Sequence, residues 1–113
     1  MNYLKNINRD MRKSTTKTKL PKQYTVGGQQ MNIREVERLD DERLGQCCLG
    51  EGTVDIAKTF RGTTQSETSK QNTLYHEIVH TILDTMGEHE LSGNEKFVCS
   101  FSGFLTEVLT TLK

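Results

Sequence analysis

The 113-residue chain lacks the features that mark secreted, membrane-spanning and thiolate-metal proteins. No apolar run approaches the roughly 18 residues of a membrane span, and the opening MNYLKNINRDMRK has no apolar centre of a secretory signal. The three cysteines, Cys47, Cys48 and Cys99, are odd in number and include an adjacent pair, which makes a poor disulfide framework. No C-x-x-C pair is present, and this disfavours a zinc ribbon. These absences predict a cytoplasmic protein with free thiols and no membrane partner.

Hydrophobic residues are also scarce in the chain, and positively charged residues are scarce in residues 23–113. Only 33% of residues are hydrophobic and tryptophan is absent, so one small domain with a compact core is expected. Residues 1–22 hold seven Lys/Arg and one acid, a net +6, whereas residues 23–113 carry a net −6. We predict a basic, flexible arm over 1–22 and a folded domain over 23–113. A solvated or packed tail is the favoured interpretation of the arm, and contact with nucleic acid is the alternative.

The first half of the folded domain has the pattern of two β-hairpins. Gly27-Gly28 separates two extended runs, and Gly50-Glu51-Gly52 separates residues 44–49 from 53–58. Val54 and Ile56 alternate with polar neighbours, as in a half-buried strand. Strands followed by helices predict an α+β fold with a small antiparallel sheet of three or four strands.

The second half is predicted to be helical. Residues 61–72 contain no large apolar residue and are predicted to form a loop that leads into a helix. Thr64 or Ser66 could be the N-terminal cap of that helix. The helix carries TLYHEIVHTILDTMG and is expected to end at Gly87. A short connection, residues 88–93, leads to a last helix, NEKFVCSFSGFLTEVLTTLK.

The segment HEIVH, His76 to His80, is the H-E-x-x-H pattern of zinc hydrolases. Positions i and i+4 lie one turn apart on a helix, so His76 and His80 can bind one ion. Glu77 can reach a water on that ion and act as the general base. On a helical wheel this polar stripe opposes the apolar arc, which consists of Leu74, Tyr75, Ile78, Val79, Ile82 and Met86. The alternative is a polar surface stripe on an amphipathic helix, with no metal.

A catalytic zinc site needs a third protein ligand. Leu83 and Met86 occupy the positions where the metzincin extension requires glycine and histidine, so that branch is excluded. The remaining candidates are Glu88, His89, Glu90 and Glu95. Glu95 is favoured and His89 is the second choice. Ser92-Gly93-Asn94-Glu95 also forms an S-x-x-E capping box, which would explain Glu95 without a metal.

The last helix divides into an apolar arc and a stripe of small or polar residues. The arc, predicted to face the core, is Phe97, Val98, Phe101, Phe104, Leu105 and Val108. The stripe is Glu95, Cys99, Ser102 and Thr106, and its small side chains would let another helix approach closely. Cys99 is interpreted as a small buried hydrophobe, and the alternatives are a thiol beside the metal ligands or a ligand itself.

The chain resembles small zincin-like metallopeptidases of bacteria, phages and mobile elements, similar to the ImmA/IrrE and SprT-like groups. The resemblance covers about residues 23–112, and its specific part is TLYHEIVH. It implies a small sheet, the motif helix, and a following helix that supplies an acidic ligand. His76, His80 and Glu95 would then bind zinc, and Glu77 would be the catalytic base.

Two functions are therefore expected. The first is a zinc-dependent peptidase whose peptide or protein substrate adds to an edge strand of the sheet. The second is a non-catalytic metal-binding or interaction protein, which could reach nucleic acid through its basic arm.

Overall fold

The computed structural model describes residues 20–113. The predicted arm, residues 1–22, therefore lies almost entirely outside the described residues. The α+β class is confirmed: a mixed four-stranded sheet and a separate two-stranded sheet precede the helices. Among the helices of this described part, none is both long and apolar enough to cross a membrane.

Both predicted hairpins are present in the main sheet. Gly27 and Gly28 have φ values of 56° and 85°, the left-handed conformation that a tight two-residue hairpin turn requires. The elements in chain order are β1 (Gln23–Val26), β2 (Gln29–Val36), a short 3-10 turn (Asp40–Glu42), β3 (Gly45–Cys48), β4 (Thr53–Ala57), β5 (Thr59–Phe60), β6 (Thr63–Thr64), α1 (Glu67–Met86), α2 (His89–Ser92) and α3 (Glu95–Thr111).

The main sheet is mixed, so the prediction of a purely antiparallel sheet is wrong in one pairing. Its order is β1-β2-β4-β3, and β2 pairs with β4 in parallel, with Ile33 opposite Val54. The chain leaves β2, forms β3 at the sheet edge, and turns back so that β4 lies between β3 and β2. Consequently β3 is an edge strand, and its only strand partner within residues 20–113 is β4.

Part of the segment 61–72, which was predicted to be a loop, forms regular secondary structure instead. Residues 59–64 form the β5–β6 hairpin, and α1 begins at Glu67, directly after Ser66. Ser66 caps the helix as one of the two predicted alternatives, since its side chain accepts a hydrogen bond from the Ser69 N–H. Lys70 stabilises the polar first turn of α1 through two ion pairs. Its ammonium group lies 2.8 Å from Glu35 on β2 and 3.0 Å from Glu67.

Helix α1 lies between two hydrophobic clusters. The first joins it to the sheet and contains Met31, Val54, Ile56 and Leu74. The second joins it to α3 and contains Val79, Leu83 and Val98. Ser102 and Thr106 of α3 are buried, as their small size predicted for a close helix contact. Phe101, Phe104 and Val108 are exposed, so their predicted place in the core is wrong. Cys99 is exposed as well, so its interpretation as a buried hydrophobe is wrong.

Leu74 and Leu109 offer a matched test of this packing. Leu74 is 1% exposed between α1 and the sheet, whereas Leu109 on α3 is 42% exposed. We expect Leu74→Ala to lower the free energy of unfolding by about 2–5 kcal/mol, because it leaves a cavity. Leu109→Ala should cost less than about 1 kcal/mol. Urea unfolding would measure both, and equal losses would contradict the docking of α1 on the sheet.

Candidate metal centre

The two histidines of the motif converge on one carboxylate. His76 and His80 lie one turn apart on α1, with ring centroids separated by 4.9 Å. The Nε2 atom of His76 is 3.3 Å from one oxygen of Glu95, and that of His80 is 3.3 Å from the other. The structure therefore brings together the three residues that the sequence predicted as ligands.

Glu95 reaches the histidines because the chain reverses sharply after α1. Gly87, with φ of 82°, ends the helix in the left-handed conformation, and its N–H bonds back to Leu83 and Asp84 carbonyls. The single turn of α2 follows, and α3 then starts with Glu95 in its first turn. The first turn of α3 is thereby placed against the middle of α1.

The capping-box explanation of Glu95 is wrong. Asn94 caps α3, because its side-chain oxygen accepts a hydrogen bond from the Phe97 N–H at 3.1 Å. Ser92 lies at the end of α2, and its hydroxyl is 3.0 Å from Nδ1 of His80. Glu95 is thus free of a capping role and points its carboxylate at the histidines.

Each histidine also has a polar neighbour on its Nδ1 side. The hydroxyl of the buried Ser92 lies 3.0 Å from Nδ1 of His80, and the Cys99 sulfur lies 3.8 Å from Nδ1 of His76. When Nδ1 donates a hydrogen bond, Nε2 keeps its lone pair for a metal, and such a partner also holds the ring orientation. From its sequence position Ser92 was predicted only as a helix cap, and no local pattern of residues indicates its contact with His80.

Two overlapping donor sets are present. His76, His80 and Glu95 meet through the two Nε2 atoms, while one donor atom each from His76, Glu95 and Cys99 lies within 4.8 Å of the others. The first set uses Nε2 of His76, whereas Cys99 approaches Nδ1 of the same ring. Two imidazoles and one carboxylate are a donor set typical of catalytic zinc.

Glu77 lies on the side of α1 that faces β3, and only 7% of it is exposed. Burial raises the pKa of its carboxyl, against the opposing effect of a hydrogen bond from the Cys47 thiol. Burial and the nearby Glu77 charge raise the pKa of Cys47 to about 12, so this thiol stays protonated at neutral pH. The sequence predicted Glu77 as the base but gave no indication of its contact with Cys47.

Gly45 gives Glu77 the room that it occupies under β3. A Cβ atom at position 45 would lie 2.6 Å from Cγ2 of Thr73 and 3.2 Å from a Glu77 carboxylate oxygen. The strand therefore approaches α1 as closely as it does only because this residue has no side chain. A glycine at the start of a predicted strand was the available signal for such a close approach.

A groove of about 870 Å³ runs between β3 and the two helices. One wall is the segment 43–47, and the other carries residues of α1 and α3. The side chains that could take part in chemistry are His76, Glu77, His80, Asp84, Glu95 and Cys99. An edge strand therefore borders the same space as the candidate ligands and the candidate base.

His89, the second choice for third ligand, lies elsewhere. Its side chain is 75% exposed, and Nδ1 is 3.5 Å from Asp84. It is not among the residues that line the groove. The geometry gives His89 no position beside the other donors.

A scan against models of protein families, a search of curated proteins and a search of solved structures found no match to this chain.

The cap assignment that frees Glu95 can be tested by stability. We expect Asn94→Ala to lower the free energy of unfolding by about 1 kcal/mol, since the Phe97 N–H loses its partner. Asn94→Ser should recover most of that loss, because serine caps comparably well. Chemical unfolding of the metal-free protein would measure both variants. An unchanged stability in Asn94→Ala would contradict the assignment of Asn94 as the cap of α3.

Proposed function

We propose that this protein is a zinc-dependent peptidase. The observation that carries the proposal is the approach of both His Nε2 atoms to the two oxygens of Glu95, each at 3.3 Å, beside a buried glutamate in the same groove. His76, His80 and Glu95 would hold the ion. When bound, zinc supplies a Lewis acid that polarises a carbonyl and lowers the pKa of a coordinated water to about 7.

Glu77 is the proposed general base. Its carboxylate would take a proton from the attacking water and later give it to the leaving amine. A base is most effective when its pKa lies near the working pH, and burial moves the pKa of Glu77 upward, in that direction. The Cys47 thiol, which stays protonated at neutral pH, would be a neutral neighbour of this carboxylate.

The substrate is proposed to be a peptide in extended conformation. Strand β3 borders the groove and, within residues 20–113, has a sheet partner on one side only. Its free edge can bond to the backbone of an added strand, which gives affinity with little dependence on side chains. Such pairing would lay the peptide backbone across the groove in front of Glu77.

A second candidate is a metal-stabilised domain without catalytic activity. Cys99 favours it, because its sulfur lies 4.0 Å from Glu95 and would be a further donor to an ion that His76 holds through Nδ1. Four protein ligands close a zinc site and are typical of structural zinc. The two candidates differ in whether the metal-loaded protein hydrolyses peptides.

Metal content is the primary test. We expect purified protein, after incubation with zinc and removal of the excess, to hold near one equivalent by elemental analysis. The double variant His76→Ala/His80→Ala should hold none, because two of three ligands are lost. Ser92→Ala keeps every ligand but removes the partner of His80, and its zinc affinity should fall by roughly tenfold. Zinc retained in the double variant would place the metal elsewhere, and no zinc in the native chain would end the proposal.

Activity separates the two candidates. We expect the zinc-loaded protein to cleave members of a mixed peptide library, with the fragments identified by mass spectrometry. Glu77→Gln should bind zinc normally but lose cleavage by several orders of magnitude, since it cannot accept the proton. Cleavage that survives in Glu77→Gln would refute this role of Glu77. A zinc-loaded native protein without any cleavage would support the non-catalytic candidate.

A further inference from the structure

Most of the exposed large apolar side chains of the described residues lie on or next to the two long helices. Eight large hydrophobic residues are exposed, and all but Leu44 lie on the second half of α1, on α3 or directly after α3. Phe104 is the most exposed of them, at 70%. Contiguous exposed apolar surface of this kind marks an interaction site more often than scattered residues do.

Three of these side chains form a stripe along α3 together with Phe97, which is half-buried and also packs against the cluster of Val79, Leu83 and Val98. Phe97, Phe101, Phe104 and Val108 follow one another at spacings of four, three and four residues, the pattern of a helix–helix seam. Phe97 and Phe101 stack with centroids 5.7 Å apart. The opposite flank of α3 is occupied, because Val98, Ser102 and Thr106 pack in the interior of the protein.

We propose that this stripe, Phe97, Phe101, Phe104 and Val108, is the interface between two copies of the chain. An antiparallel pair of α3 helices related by a two-fold axis would put Phe97 opposite Val108 of the second copy. The same register puts Phe101 opposite Phe104 of the second copy, so every apolar position meets another apolar position. A self-complementary patch of this kind is what a two-fold dimer requires.

The charges beside the stripe fit the same register. Lys96 and Glu107 lie on one flank of it, on the side away from the buried residues. In the antiparallel pair, Glu107 comes within about one turn of Lys96 of the second copy. The symmetry creates this opposite-charge pair twice, and such pairs set the orientation of a helix dimer.

A membrane surface fits this stripe poorly. Helices that lie on membranes carry Lys and Arg along their polar face. Lys96 is the only basic residue of α3, and it is outnumbered by Glu95 and Glu107. The stripe also lies on the opposite side of α3 from Cys99 and Ser102, which line the groove. The dimer is therefore independent of the proposed peptidase activity.

Sedimentation of the full chain over a concentration series tests the proposal. We expect a monomer–dimer equilibrium that Phe104→Lys weakens by at least about tenfold, because a central aromatic anchor is lost from both copies. Thr110→Lys adds the same charge on the far side of α3 and should leave the equilibrium unchanged. Circular dichroism and thermal unfolding would verify that both variants stay folded.

Charge reversal gives an independent measurement. Lys96→Glu or Glu107→Lys alone should weaken the dimer by roughly three- to tenfold, and the combined variant should recover most of the loss. A native chain that remains monomeric at millimolar concentration would overturn the proposal. A dimer that is indifferent to Phe104→Lys, or single reversals that the combined variant does not rescue, would place the interface on another surface.

Discussion

Burial of α1 on two sides at once is the constraint on which the rest of the structure depends. Leu74 is held against the sheet, and Val79 and Leu83 are held against α3. Because both flanks are occupied, the rotation of α1 about its own axis is determined. The remaining sector of the helix, which carries His76, Glu77 and His80, must then face the space between β3 and α3. The position of the candidate site thus follows from apolar packing that contains none of its polar residues.

The candidate centre is assembled from elements that are close in sequence. Its three proposed ligands lie on α1 and on the first turn of α3, and the short α2 between them contributes Ser92 beside His80. The sheet contributes a different part: β3 covers Glu77 and borders the groove as the edge strand of the sheet that residues 20–113 form. In the proposed enzyme, the helices therefore supply the metal ligands. The sheet forms the surroundings of the proposed base, Glu77, and the proposed binding surface for the peptide.

Much of this arrangement was predictable from local sequence, and the errors have a common cause. Turn glycines and period-two alternation indicated both hairpins, and helical spacing indicated α1, its end at Gly87, and α3. The parallel pairing of β2 with β4 was missed because it joins segments that are distant in sequence, and no local pattern specifies it. The role of Ser92 was misjudged because two positions near the start of α3 could each act as the cap. The structure selects Asn94, since Ser92 ends α2 and faces His80. The exposed stripe on α3 was read as core because a helical pattern records which residues are apolar but not what covers them.

The contact between Gly45 and α1 also bears on how such a site could change over generations. The Glu77 carboxylate lies on one side of the groove and strand β3 on the other. The distance between them is short because Gly45 has no side chain. Even the smallest replacement at position 45 would push β3 away from Thr73 and Glu77. The residue at position 45 therefore determines the distance between β3 and α1. A smaller side chain at Thr73 could make room for a side chain at position 45, whereas a change at position 45 alone would displace Glu77, the proposed base.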